Sequence, residues 1–174
     1  AGIDFIHYNG FSGEYYYIET FGGGAAFFDY DNDGWLDLYL VNGTYIKGYP
    51  PDPLPINKLY RNIGDGHFSD ITTISKLADS HYGFGVAAAD YDADGDQDLF
   101  LANYGPNTFY RNDGTAFSEL GAAIGIDDDR WGSSAGFLDY DADGDLDLFV
   151  ANYVHFSLAD NTVCKQGKVR SYCQ

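Results

Sequence analysis

Apolar and polar positions alternate along this chain in short runs that are broken at intervals by acidic loops. The first such segment enters through Gly24, Ala25, Ala26, Phe27 and Phe28, and leaves through Leu38, Tyr39, Leu40 and Val41. Between them lies Asp29-Tyr30-Asp31-Asn32-Asp33-Gly34-Trp35-Leu36-Asp37. Short apolar or period-two runs bounded by turn residues read as strands, so the segment predicts strand, loop, strand. The same pattern returns at residues 85–104 (GVAAADYDADGDQDLFLANY) and 134–153 (SAGFLDYDADGDLDLFVANY), with loop starts Asp29, Asp90 and Asp139 that are 61 and 49 residues apart.

A second, shorter repeat follows the first two copies. It reads Asn57-Lys58-Leu59-Tyr60-Arg61-Asn62 with Gly64, Gly66 and Phe68, then Asn107-Thr108-Phe109-Tyr110-Arg111-Asn112 with Gly114 and Phe117. It begins 28 residues after the loop start in the first unit and 17 after it in the second. The extra residues fall where Pro50, Pro51, Pro53 and Pro55 cluster, the composition of a surface insertion. Each unit then predicts about four strands: one into the acidic loop, one out of it (36–41 or 99–102), one near 59–61 and one near 68–71.

Four-stranded units that recur at about 50 residues are the signature of β-propeller blades, which close into rings of typically four to eight. The expected fold is therefore all-β, with about two complete blades and a partial third. Units of approximately 22–75, 83–122 and 132–174 make up one segment spanning 1–174. Such a segment belongs to a larger propeller or is completed by assembly.

The acidic loop has the form Asp-x-Asp-x-Asp-Gly-x-x-Asp three times over. Four carboxylates within nine residues repel one another, and a divalent cation relieves that cost. An oxygen-only donor set suits calcium, which accepts six to eight oxygens, better than magnesium, and zinc or copper would call for His or Cys. The glycine at position six allows the turn that wraps an ion. An EF-hand would place a Glu at position twelve, where this chain has Leu40, Leu101 or Val150. The predicted side-chain ligands of three calcium sites are Asp29, Asp31, Asp33 and Asp37; Asp90, Asp92, Asp94 and Asp98; and Asp139, Asp141, Asp143 and Asp147. The carbonyls of Trp35, Asp96 and Asp145 complete the sets. The plain alternative, a solvated acidic turn, loses weight with each copy of the same spacing.

Charge supports a cation as partner. With 27 acidic and 9 basic residues the net charge is −18, which disfavours nucleic acid and anionic membrane surfaces. Three calcium ions would reduce it only to about −12. At 45% apolar and 18% aromatic the chain has ample material for a core. No apolar run reaches the length of a transmembrane segment. The chain begins at Ala1 and contains no Met, as expected of a mature protein after signal removal or of an internal piece. Cys164 and Cys173 are the only cysteines, and their spacing and context favour a short-loop disulfide in an oxidising compartment over a metal site.

The loops and the flanking wording, GIDFIHYNGFSG, GGGAAFFDYDNDGWLDLYLVNG and KLYRNIGDGHFSDIT, together with the late cysteine segment, resemble FG-GAP or VCBS repeats. These are the calcium-binding blades of integrin alpha propellers and of many secreted bacterial proteins. The closest resemblance is to the cartilage-acidic-protein-like family. It implies a seven- or eight-bladed calcium propeller, often exported, that serves adhesion, matrix association or assembly with an extracellular protein or with itself.

An enzyme is not expected. His7, His67, His81 and His155 are scattered, and no nucleophile elbow is present. Some polysaccharide lyases are calcium propellers with a basic catalytic residue, which draws attention to Lys58, Arg61, Arg111 and Arg130; the repetition of Arg61 as Arg111 argues for a structural role. A glycan-binding or lyase-like propeller is the alternative reading, and a filament subunit is the third. Tyr30, Tyr91 and Tyr140, Tyr39, Phe100 and Phe149, and Phe68 and Phe117 recur at repeat positions and are assigned to packing; Tyr15, Tyr16, Tyr17, Tyr45 and Tyr49 are the candidate exposed contacts. Asn42-Gly43-Thr44 is a glycosylation sequon, but its Asn recurs as Asn103 and Asn152 without the Thr, which favours a structural role. Lys165, Lys168 and Arg170 are expected to contact an acidic neighbour.

Overall fold

A computed structural model describes residues 2–48, 50–114 and 116–173. The first unit folds as β1 (Ala25–Phe28), β2 (Asp37–Leu40), β3 (Lys58–Asn62) and β4 (Phe68–Asp70), an antiparallel sheet with its strands in chain order. After a one-turn helix α1 (Thr72–Ser75), the second unit repeats the sheet as β5 (Tyr82–Ala89), β6 (Asp98–Tyr104), β7 (Thr108–Asn112) and β8 (Phe117–Glu119). A second one-turn helix, α2 (Gly121–Ile124), leads to β9 (Gly132–Leu138) and β10 (Asp147–Asn152), which form a two-stranded sheet. A last hairpin, β11 (Cys164–Gln166) with β12 (Val169–Ser171), is closed by a Cys164–Cys173 disulfide. Tyr49 lies outside the described residues.

The register is the same in both full units. Leu38, Tyr39 and Leu40 face Tyr60, Leu59 and Lys58; Leu99, Phe100 and Leu101 face Tyr110, Phe109 and Thr108. Strand β6 is apolar at consecutive positions because both its faces are covered. Leu99 and Leu101 join Phe28, Tyr39, Val41 and Leu59 in the core between the first two units, whereas Phe100 and Ala102 face Ala135, Phe137, Leu148 and Val150 of the third. The inner strands approach closely at two glycines: a Cβ on Gly24 would lie 2.7 Å from the Phe84 carbonyl, and one on Gly85 would lie 2.8 Å from that of Ser133. The absence of a side chain at these points lets one sheet lie against the next.

At the far end of the strands from the acidic loops, an aromatic cluster joins the N-terminal segment to the second and third units. Trp131 is buried and packs edge-on against Tyr17, Phe21, Tyr104, Tyr153 and Phe156, and tilted against Phe84. Two of the tyrosines expected to be exposed contacts pack instead: Tyr17 here, and Tyr15 edge-on against Tyr172 of the disulfide hairpin. Tyr16 borders the same cluster, and Tyr45 is exposed. The hairpin is fixed to the N-terminal segment by the Tyr172 hydroxyl, which donates to the buried Glu19 carboxylate, and by Arg170, which pairs with Glu14 at 3.1 Å. Asn42 is buried, accepts the Tyr8 amide and donates to the carbonyls of Ile6 and Ile56, the structural role its recurrence suggests.

The turn between the first two units holds a buried Asp79. Its carboxylate accepts the His81 amide (2.7 Å), the His81 ring (3.0 Å) and the Tyr110 hydroxyl (3.1 Å). Burial pushes this carboxyl up, but the bonds and charge of His81, with further bonding, outweigh it and leave it below its ordinary value. The same bond raises His81 against the opposing effect of its partial burial. The His81 contribution is therefore complete below about pH 6.5 and is lost as pH rises through its elevated folded value. The Asp79 contribution is present above about pH 4 and is lost as pH falls. With calcium saturating throughout, urea unfolding should show stability declining from pH 6 to 8 by less than about 1 kcal/mol, since His81 is half exposed. His81→Asn should flatten that decline, and an unchanged slope in the variant would assign it elsewhere.

Candidate metal centre

Each acidic loop joins the first two strands of its unit, and its own carboxylates shape it. In the first, Asp29 accepts the amides of Asp33 (3.1 Å) and Gly34 (2.8 Å), and Asp33 accepts that of Trp35 (2.9 Å). In the second, Asp90 accepts Asp94 and Gly95, both at 3.0 Å, and Asp94 accepts Asp96 at 2.9 Å. The third keeps the bonds from Gly144 to Asp139 (3.2 Å) and from Asp145 to Asp143 (3.0 Å). Position six is glycine at φ +88°, +99° and +100°, as the wrapping turn requires. Position four is also left-handed, at Asn32 (φ 54°), Ala93 (φ 58°) and Ala142 (φ 61°). Alanine in that conformation costs roughly 1–2 kcal/mol, which the loop contacts must offset.

This folding brings three carboxylates of each loop together. Asp29, Asp31 and Asp33, then Asp90, Asp92 and Asp94, then Asp139, Asp141 and Asp147, each offer ligand oxygens within 4.8 Å of one another, close enough to share an ion. The ninth-position acid divides by unit. Asp37 and Asp98 are fully buried and lie outside these triplets. Asp37 accepts the amides of Tyr30 (3.0 Å) and Asn62 (2.7 Å), and Asp98 those of Tyr91 (2.9 Å) and Asn112 (2.8 Å). Each thus fastens the loop to the third strand of its sheet. Burial raises both carboxyls against the pull of these amides, Asp98 to about 6. In the third unit Asp147 is exposed, belongs to the triplet and accepts the Tyr140 amide at 2.8 Å, while Asp143 lies outside that triplet. Trp35 is exposed; Asp96 accepts the Asn32 side chain at 2.7 Å.

The donor set fits a hard cation. Every side-chain oxygen in the triplets is a carboxylate, and one Asp31 oxygen is buried without a partner. In the first loop a cation already bridges the acids: the Arg61 guanidinium lies 2.8 Å from Asp31 and 2.9 Å from Asp33. Arg111, at the same repeat position, turns instead to Asp113 at 2.8 Å, so the second triplet has no such bridge among the described residues. Sequence reading identified the two arginines as equivalent but not this difference, because nothing in the strand pattern fixes where a long side chain turns. It also missed Asn32, which donates to the Gly95 carbonyl (3.0 Å) as well as to Asp96 and so joins the first loop to the second. Asn112 reinforces that junction by donating to the Tyr30 carbonyl at 2.8 Å.

The model of the FG-GAP-like repeat matches residues 29–101 and 90–150, each match opening on the first aspartate of a loop. The chain belongs to the FG-GAP-like repeat family. No individually curated protein matches it significantly. The two FG-GAP matches span the acidic loops, the first four-stranded sheet apart from β1, the whole of the second and most of the third hairpin. Among the described residues no helix is long and apolar enough to cross a membrane.

Proposed function

We propose that this chain is a calcium-binding β-propeller segment that acts outside the cell as a non-enzymatic module for adhesion, matrix association or assembly. The observation that carries the reading is the recurrence of the triplet: three oxygen-only clusters, each with oxygens within 4.8 Å, on loops of the same length. Calcium, when bound, supplies the positive charge these clusters lack and ties the first strand of each sheet to the second. The disulfide supports an oxidising compartment. Kinship with the cartilage-acidic-protein-like proteins is the finer family reading, resting on the sequence resemblance alone.

Catalysis is not part of the proposal. Lys58 bonds Asp4 and Asp70, Arg61 the first loop, Arg111 Asp113, and Arg130 Asp128, so each basic candidate for lyase chemistry is engaged by carboxylates. Glycan binding retains one supporting observation, a hollow of about 660 Å³ lined by Tyr104, Trp131, Tyr153, Phe156 and Arg130.

Calcium titration calorimetry tests the metal reading. Asp92 accepts no hydrogen bond among the described residues, so Asp92→Ala should remove one of three bound ions while leaving the fold without calcium unchanged. Arg61→Ala should strengthen the first site roughly three- to tenfold by removing a cation that competes for Asp31 and Asp33. Unchanged stoichiometry in Asp92→Ala would remove that residue from the ligand set.

A further inference from the structure

The third sheet stops at two strands, and the edge it leaves open is the one that the first two units cover. Strand β10 pairs with β9 on one side and with nothing among the described residues on the other, where β2 carries β3 and β6 carries β7. The face beside that edge is bare. Phe149 is 64% exposed, whereas its repeat equivalents Tyr39 and Phe100 are fully buried. A groove of about 510 Å³ runs along the same sheet between Phe137, Tyr140, Leu148 and Phe149.

Two polar groups along this edge lack the partner that their repeat equivalents have, and a third has other partners in its place. The ninth-position acid accepts a third-strand amide in the first two units, Asn62 to Asp37 at 2.7 Å and Asn112 to Asp98 at 2.8 Å; Asp147 accepts only that of Tyr140. At the other end of the strand, the Asn42 amide donates to the Asn57 side chain at 2.6 Å and that of Asn103 to Asn107 at 3.0 Å, but the Asn152 amide has no side-chain acceptor among the described residues. Between them, the third-strand tyrosine donates its hydroxyl to an acid outside its own sheet, Tyr60 to Asp4 at 2.7 Å and Tyr110 to Asp79 at 3.1 Å. Asp128 stands where Asp79 does: Asp79 accepts the amide of Asn57 on its carbonyl, and Asp128 that of Asn107. No third tyrosine reaches it, and its carboxylate holds Arg130 and Asn152 instead.

We propose that the open edge of β10 is a docking site for a β-hairpin of this chain's own repeat chemistry, a strand of the form Asn-x-apolar-Tyr-Arg-Asn followed by a glycine turn, carried by a partner polypeptide segment. The surface continues the unit-to-unit interface that the chain already makes twice. The spacing of these groups selects the occupant: an amide for Asp147, an apolar side chain beside Phe149, a tyrosine hydroxyl that would join Arg130 and Asn152 on the Asp128 carboxylate, and an asparagine oxygen for the Asn152 amide. The chain's last hairpin does not fit, because it lacks this pattern and is held on the N-terminal segment through Arg170 and Tyr172. The inference rests on the propeller reading but not on the identity of the bound metal.

The test uses the intact protein and a labelled peptide with the sequence of residues 107–119, held as a hairpin by a lactam between added terminal residues. Fluorescence anisotropy should show saturable binding, and the amides of β10 should gain protection from hydrogen exchange. Replacing the peptide's tyrosine by phenylalanine, or Asp128→Asn in the protein, should weaken binding about three- to tenfold, in line with the loss of one charge-assisted hydrogen bond. Phe149→Ser, at an exposed position that folding does not require, should weaken it further. Absence of binding, equal binding of a scrambled peptide, or unchanged protection of β10 would overturn the proposal. Performed alongside calcium titration, the experiment separates the two readings: calcium bound without the peptide refutes only the docking site, and peptide bound without calcium refutes only the metal assignment.

Discussion

Replacing Trp131 by alanine is expected to lower the unfolding free energy by about 3–5 kcal/mol, the range for deleting a large buried aromatic. Trp131 is 2% exposed and touches six aromatic rings, two each from the N-terminal segment, the second unit and the third. Its removal leaves a cavity where the N-terminal segment meets the second and third units, so surrounding rings can refill it only by moving the segments that carry them. Trp131→Phe should recover part of the loss. Trp35→Ala provides the control: that ring is 56% exposed, and its loss should change stability by no more than about 0.5 kcal/mol. Urea denaturation checks both variants, and Trp131 and Trp35 being the only tryptophans makes each variant's fluorescence report on the other ring. A loss below about 1 kcal/mol for Trp131→Ala would mean that the cluster is not a structural hub.

Removal of calcium is expected to have a larger effect, about 8 kcal/mol if three sites are saturated. A ligand that binds only the folded chain stabilises it by about 2.7 kcal/mol per site at one hundred times its dissociation constant. For a chain of this length each kcal/mol shifts the midpoint by roughly 2–4 °C, so chelation from saturating calcium should lower Tm by more than about 10 °C if all three loops are loaded. Asp92→Ala should remove about a third of that difference. Magnesium at equal concentration should restore less of it, because the loops offer flexible carboxylates rather than a tight octahedron. Equal melting in calcium and in chelator would contradict the metal reading.

Much of this fold was legible because the repeat encodes it. The two full sheets follow the predicted strands within one or two residues, and the consecutive apolar run 99–102 reflects a strand covered on both faces. The triplets were legible in part: the first and third positions of the motif converge in every loop, but the third carboxylate is the fifth-position acid in the first two loops and the ninth-position Asp147 in the last, a difference the identical spacing does not carry. The remainder depends on tertiary context. Helices α1 and α2 have four residues each, too few for any helical period to register. Ala93 and Ala142 adopt a left-handed conformation that their residue type does not announce. Asp37 and Asp147 are identical in the motif, yet one is buried under a third strand and the other is exposed for lack of one. The packing of Tyr15 and Tyr17 likewise arises from segments far apart in sequence, the disulfide hairpin and Trp131.

The same comparison explains why repeat position alone misjudges some aromatics. Tyr39 and Phe100 are buried because a further unit covers them, while Phe149 at the same repeat position stands 64% exposed; in the other set Tyr91 is 38% and Tyr140 82% exposed. In a repeat architecture each unit buries its face only against a neighbour, so burial belongs to the pair of units rather than to the motif.

The central claim is that each of the three loops holds one calcium ion. A native mass spectrum of the folded protein, taken with calcium and again after chelation, tests it most directly. Three calcium ions on each folded chain are expected, falling to two in Asp92→Ala and to none in chelator. A folded chain that carries no calcium at millimolar concentration would contradict it.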